Sequence, residues 1–362
     1  MKILRAVLFN DTSALGHHGC RLVCEQIGYF CHRYGIEIVA RYTSDMTIAI
    51  DADRIDLVII NGEGSLHDDS PSSFAIARAS RWGADHNVPV FLINSLFQNL
   101  GETIRSDLAS ATAIFVRDQQ SLKEAEKAGL AARHVPDLTL SFDPSEVGSN
   151  GKPGNGGAVT FTDSTLKAIS RRLRNRAARL KSSRFLSLAA IPETLGKGPF
   201  GNFKRTSLFW IKHLVGKGSS GAIGNPKYAY CIPRAADFRA LFQSGISLLV
   251  AGRFHAVCYA LLYDVPFCAL KSNSWKTEAL LEEAGLRHRL IDIDSLEAMD
   301  LAALETAFGA FSEEELASIQ AFRQSCRKKA DAMFGEIRRM CDEQAAERRA
   351  LDGAPILVNP SL

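Results

Sequence analysis

Residues 247–276 read SLLVAGRFHAVCYALLYDVPFCALKSNSWK: a short apolar run, a glycine, then a stretch apolar enough for a buried helix. Ser247–Ala251 predicts a strand, Gly252 a tight turn, Phe254–Leu262 a helix and Pro266–Leu270 a second strand. Strand, helix, strand is the repeating unit of a parallel α/β sheet. Arg253 and His255 fall at the turn, where a helix starts with unpaired amide hydrogens and a positive dipole, an end that attracts anions. Lys271 and Lys276 close the unit near the carboxyl end of its strands, where open α/β sheets bind ligands. A guanidinium, an imidazole and two ammonium groups there suit a small, multiply charged anion. Arg253 could equally cap a neighbouring element, and His255 could be a half-buried histidine with its hydrogen bonds satisfied.

The same alternation runs back to the N-terminus. Strands are expected at Ile3–Phe9, Ile36–Arg41, Asp56–Ile60, Pro89–Ile93 and Ala113–Val116, and helices at Cys20–Tyr34, Ser72–Asp85, Glu102–Leu108 and Gln119–Ala128. That predicts a Rossmann-like domain over residues 1–147. SEVGSNGKPGNGG (145–157) is rich in Gly, Asn and Pro, and residues 148–157 read as a linker. A second Rossmann-like domain is expected over 158–311, with strands at Ala158–Phe161, Phe185–Ala189 and Leu290–Ile293 and a long excursion from Pro192 to Pro233. Residues 312–362 are expected to form a helical tail packing back across both domains. The fold class is therefore α/β, two doubly wound parallel sheets facing an interdomain cleft.

Length and composition agree. A chain of 362 residues, 46% hydrophobic and 23% charged, has room for two cores and the balance of an ordinary soluble globular protein. No apolar run approaches membrane-spanning length, and MKILRAVLFND is too short and too soon polar for a signal peptide, so a cytoplasmic location is expected. Eight cysteines without C-x-x-C pairs imply buried thiols rather than disulfides.

Three polar loops of the first half follow strands. NDTSALGHHGC (10–20) offers Asn10, Asp11, His17 and His18 to a substrate, with glycines that allow close backbone approach. His17, His18, Cys20 and Cys24 match no zinc spacing, and no metal is expected. IINGEGSLHDD (59–69) exposes Glu63 and His67 at a glycine turn; it is not a full G-x-G-x-x-G, and neither a P-loop nor G-x-S-x-G occurs in the chain. FVRDQQS (115–121) puts Arg117 at a strand end and Asp118 at a helix cap, and the turn at Asp137 could cap or face the cleft.

Taken in order, IINGEGSLHDD, VRDQQSLKEAEKAG, VPDLTLSFDP and AGRFHAVCYALLYDVPFCALKSNSWKTEALLEEAG resemble the polysaccharide pyruvyl transferase family. The resemblance covers most of the first domain and the later part of the second, and leaves 158–235 unmatched. It implies a fold like that of glycosyltransferases with two Rossmann domains (GT-B-like), and transfer of pyruvate from phosphoenolpyruvate onto a sugar as a ketal. It also implies a glycan or lipid-linked saccharide as acceptor, and no cofactor beyond phosphoenolpyruvate as co-substrate. By this resemblance Arg253 and His255 are the family's R-x-H pair, with His255 as general acid, and Arg117 is the arginine of its VRD motif; with Lys271 and Lys276 from the residue reading above, Arg117 and Arg253 are expected to bind the donor. Glu63 or Asp137 is the candidate base for the sugar hydroxyl, and from the loop reading Asn10, Asp11, His17, His18, His67 and Asp137 are expected to face the acceptor. NDTSALGHHGC departs from the Asn-x-Gly-Asp turn of many relatives, which implies a different acceptor and leaves room for a different donor. A glycosyltransferase using a nucleotide-activated sugar, or a non-catalytic glycan-binding relative, stays open.

Between Lys167 and Lys217 thirteen Lys and Arg face a single acid, Glu193, although the whole chain nets only +3. TLKAISRRLRNRAARLK (165–181) and FKRTSLFWIKHLVGKG (203–218) mix these cations with apolar and aromatic residues, a composition suited to the anionic inner membrane over 165–217. A solvated basic face over ordinary core is the alternative. No nucleic-acid-binding module accompanies the charge.

Overall fold

A computed structural model describes residues 2–147, 157–191, 203–204, 206–211, 214 and 230–352. The first half alternates β1 (Leu4–Phe9), α1 (His18–Arg33), β2 (Ile36–Tyr42), β3 (Leu57–Glu63), α2 (Pro71–Asp85), β4 (Val90–Ser95), α3 (Glu102–Leu108), β5 (Ala113–Val116), α4 (Gln119–Lys127) and β6 (Ala132–His134). The strands pair in the order β2-β1-β3-β4-β5-β6, all parallel. Every residue of β3 and β4 is buried, so Leu57–Ile60 and Val90–Ile93 read as apolar runs rather than alternating ones, and buried polar residues follow only at their carboxyl ends.

The second half gives β7 (Ala158–Thr162), α5 (Lys167–Arg179), β8 (Ser183–Leu186), α6 (Ala235–Ser244), β9 (Ile246–Ala251), α7 (Phe254–Leu262), β10 (Phe267–Ala269) and α8 (Lys276–Glu283). Its sheet, β10-β9-β7-β8, is also parallel throughout. Short helices α9 (Ile293–Ala298) and α10 (Leu301–Phe308) precede the long α11 (Glu313–Asp352). The fold is thus α/β, two parallel sheets with helices on both faces. On the first, α1 and α11 cover one face and α2, α3 and α4 the other.

Helix α11 belongs to both cores. Ile319 and Cys326 are buried with α6, α7 and α8, whereas Met333, Phe334 and Ile337 are buried against β1, β3 and α1. The halves also meet near the cleft, where His18 N donates to Leu188 O at 3.0 Å and Ala190 N donates to Gly16 O at 2.8 Å. Glu283 on α8 accepts from Gln119 N at 2.9 Å and faces His134 at 3.1 Å.

Two sequence expectations need correction. Leu290–Ile293 forms only a bridge from Leu290 to Ala269, because the Asp292 carboxylate accepts the Asp294 and Ser295 amides and starts a helix. β6 was not expected, since Ala132-Arg133-His134 lacks an apolar run; it pairs with the edge of β5, and the Arg133 guanidinium lies over the Phe115 ring at 5.5 Å. Nearly all of the 148–157 linker and most of the 192–233 excursion lie outside the described residues.

Candidate active site

In each sheet the strand order reverses once, between β1 and β3 in the first and between β7 and β9 in the second, and crevices open at such points beyond the carboxyl ends of the strands. The two crevices face each other. Leu15, His17, Cys20, Glu63, Gly64 and Arg117 from the first half and Thr165, Arg253, Phe254, His255 and Lys276 from the second line one cavity of about 260 Å3. A larger cleft of about 500 Å3, between residues 44–48 and α2, holds no such meeting of cations and imidazoles.

Arg117, at the end of β5, is buried. Its Nη1 faces Asp137 Oδ2 at 3.4 Å, and its guanidinium lies over the Phe254 ring at 4.8 Å. Its Nε and Nη2, the two donors of one edge, are buried without a hydrogen-bond partner among the described residues. Leaving such donors bare is costly unless a ligand takes them. That edge matches the two oxygens of a carboxylate or phosphate.

Arg253 uses the equivalent edge internally, with Nε at 2.8 Å and Nη2 at 2.5 Å from Asp163 Oδ2. Asp163 also accepts the Leu188 amide through Oδ1 at 3.1 Å, so Arg253 is held at the mouth of the cavity by a fixed carboxylate. Sequence reasoning missed Asp163; the available signal was an acid just past the end of β7, level with Arg253 past β9.

His255 lies in the first turn of α7 and is 8% exposed. Burial holds its pKa below the usual histidine value; Asp137 and Glu63 oppose that shift, while Arg117 and Lys276 add to it. Its Nε2 is 3.9 Å from Asp137 Oδ2. Glu63 closes β3 with φ of 40°, a left-handed conformation unfavourable for a side chain of that size. Its carboxylate is fixed by the Thr12 hydroxyl, by Asn61 Nδ2 at 3.2 Å and by Cys20 Sγ at 3.3 Å. Burial pushes the Cys20 thiol well above its usual range, helped by Glu63.

Lys276 opens α8, with Nζ 3.0 Å from Asn273 Oδ1. Burial, with Arg117 and Arg253 close by, lowers its pKa from 10.5 to about 8. An anion bound beside it raises that value again, so the free protein loses this cation near pH 8 while the complex keeps it. Anion affinity is therefore expected to be full below pH 8 and to fall by up to about tenfold per pH unit above it. Melting curves with and without phosphoenolpyruvate at pH 7 and pH 9 check this. A stabilisation equal at both values counts against Lys276, and Lys276→Gln should flatten the dependence.

A family model for polysaccharide pyruvyl transferase matches residues 17–274. The chain belongs to the polysaccharide pyruvyl transferase family. As a pyruvyl transferase family member it is a transferase of polysaccharide biosynthesis with a saccharide acceptor. No curated protein sequence matches it at a significant level. Among solved structures it is similar to an uncharacterized protein from Klebsiella pneumoniae subsp. pneumoniae, with 11% identity over 80% of this chain and 92% of that one, TM-score 0.49. The spinosyn rhamnosyltransferase SpnG is 11% identical over 94% and 100% of the two chains, TM-score 0.49. A UDP-GlcNAc 2-epimerase of Methanocaldococcus jannaschii is 10% identical over 90% and 99%, TM-score 0.47.

In this family member the cavity gathers His17, Glu63, Arg117, Arg253, His255 and Lys276 of the sequence-predicted residues. Asp137 lies behind it, capping its own turn through Thr139 N and touching Arg117 and His255. The others stand elsewhere, each for a physical reason. His18 is buried, stacked on Phe238 with ring centroids 3.9 Å apart, and its Nε2 is 2.7 Å from Ile232 O; burial lowers its pKa to about 3. Asp11 is tied to Arg41 at 2.6 Å and to Ser13, and Asn10 donates to Asn61 O at 2.6 Å. His67 faces Asp68 at 3.1 Å, outside the cavity. Lys271 is exposed on the loop after β10 and does not line the cavity.

Proposed function

We propose that this chain transfers pyruvate from phosphoenolpyruvate to a saccharide, forming a ketal and releasing phosphate. The observation that carries the reading is the bare Nε/Nη2 edge of buried Arg117 in a cavity that also holds Arg253, Lys276 and His255. Phosphoenolpyruvate carries a carboxylate and a phosphate on a three-carbon frame, and two guanidinium groups with one ammonium are a natural clamp for it.

With the donor's charge beside it, His255 takes up a proton and delivers it to the methylene carbon. The carbon bearing the phosphate becomes cationic, and a sugar hydroxyl attacks it as Glu63 accepts the hydroxyl proton. Phosphate then departs with the C–O bonding pair. A second hydroxyl closes the ring, and its proton leaves with phosphate. Asp137 keeps Arg117 and His255 in register, and Asp163 does the same for Arg253.

The acceptor, on this reading, is presented near an anionic membrane. Phe203, Leu208, Trp210, Ile211 and Leu214 are exposed, which supports an apolar contact. The arginines of α5 are partly spent internally, since Arg172 faces Asp294 at 2.5 Å and Glu297 at 2.7 Å. No helix among the described residues is long and apolar enough to cross a membrane.

Melting curves against phosphoenolpyruvate and a panel of nucleotide sugars test the donor. At about 100 times its dissociation constant, a ligand held only by the folded state adds about 2.7 kcal/mol. A shift confined to phosphoenolpyruvate, with phosphate release once a saccharide is added, is the expected result. A shift confined to one nucleotide sugar overturns the donor assignment.

A further inference from the structure

Two helix amino termini meet at the floor of the cavity, α1 bringing His17 and Cys20 and α7 bringing His255. A ring nitrogen of each histidine and the Cys20 sulfur lie within 4.8 Å of one another. The contact is rigid on one side: a Cβ on Gly19 would stand 2.1 Å from His255 Cγ, so the imidazole rests directly on the α1 backbone. His255 Nε2 is buried and makes no hydrogen bond among the described residues; Asp137 at 3.9 Å is too far to provide one. The sequence spacing grouped His17 and Cys20 with His18 and Cys24, but His18 is spent in the core and the third ligand comes from the other half of the molecule.

We propose that His17, Cys20 and His255 form a binding site for a soft divalent cation, zinc by its ligand chemistry. Two imidazoles and a thiolate are a donor set zinc prefers, and three protein ligands leave a fourth position to water or a substrate oxygen. Metal–ligand bonds of about 2.0–2.3 Å place two tetrahedral nitrogens and a sulfur about 3.3–3.6 Å apart, so a separation of 4.8 Å must close by about 1.2–1.5 Å. The metal displaces the Cys20 proton, which goes to solvent, and the sulfur exchanges its contact with Glu63 for a metal bond. Nearby Arg117 and Lys276 weaken cation binding relative to an acidic site, so micromolar rather than picomolar affinity is expected.

The ligands come from opposite halves, so the ion pins the cleft. It also occupies a ring nitrogen of His255, which makes the loaded protein the idle one. That last consequence rests on His255 as the acid of the proposed reaction; the binding site itself does not.

The test is titration of cobalt(II) into metal-free, full-length protein, followed by absorbance. The expected result is one equivalent bound, with a thiolate-to-cobalt charge-transfer band and tetrahedral visible bands, displaced by zinc. Cys20→Ser should abolish the band, and His17→Ala should weaken binding at least about tenfold, in proteins whose metal-free circular dichroism and melting point are unchanged. No thiolate band at about ten equivalents of cobalt, or a band that survives Cys20→Ser, overturns the site. In a parallel assay zinc should stop phosphate release from phosphoenolpyruvate, and a chelator should restore it. Cobalt binding with undiminished turnover keeps the site and overturns the role of His255 as acid.

Discussion

Replacing His255 by glutamine or alanine is expected to lower phosphate release from phosphoenolpyruvate by about 10^2 to 10^4-fold while donor-induced stabilisation persists. The split follows from the ring's surroundings. Burial disfavours its charged form, Arg117 and Lys276 add to that, and Asp137 and Glu63 oppose them. On the proposed reaction the donor's anions offset the two cations and add their own charge to that of Asp137 and Glu63 against the burial penalty, which favours protonating the imidazole where the proton is to be spent. Glutamine preserves much of the volume resting on Gly19, so its loss of turnover cannot be blamed on a collapsed cleft. Turnover is measured with saturating donor and a saccharide mixture, and donor binding by melting point. Near-normal release in His255→Gln would mean that another group protonates the methylene.

How much of this was legible in the sequence depended on which physical signal carried each residue. Buried parallel strands such as β3 and β4 announce themselves as apolar runs, and glycine or Asx caps mark where they end. Arg253, His255 and Arg117 were therefore readable as strand-end residues of one cleft. His18 was not distinguishable from His17 by spacing: adjacent residues at a helix start face different neighbours, and only the packing of Phe238 decides which one is buried. Asp163 and Asp137 matter through partners 90 and 20 positions away, and such pairings leave no local pattern. Lys271 looked like a donor ligand because it follows a strand, yet its loop turns it to solvent and Lys276 takes the place beside the arginines.

Arg117 carries the second large effect, and it divides into two parts that substitutions can separate. Arg117→Lys keeps a cation opposite Asp137 but has no Nε/Nη2 edge, so donor affinity is expected to fall by about a hundredfold with little change in the melting point of the free protein. Arg117→Ala leaves the Asp137 carboxylate, with a side chain 1% exposed, held through Oδ1 by Thr139 but with Oδ2 facing only His255 at 3.9 Å, and breaking a buried pair in this way costs about 3–5 kcal/mol. The loss should be seen in urea unfolding. Adding Asp137→Asn to Arg117→Ala removes the stranded charge and should recover most of that stability, while donor binding stays far below the parent's, since one neutral amide donor does not replace the paired donors and charge of a guanidinium. The coupling between the two positions is then positive for folding and near zero for binding. If Arg117→Ala binds phosphoenolpyruvate as the parent does, the unpaired edge is not the donor site and the anion is held by Arg253 and Lys276 alone. If the double variant regains affinity along with stability, Arg117 acts only through Asp137, and the case for a guanidinium clamp on the donor falls with it.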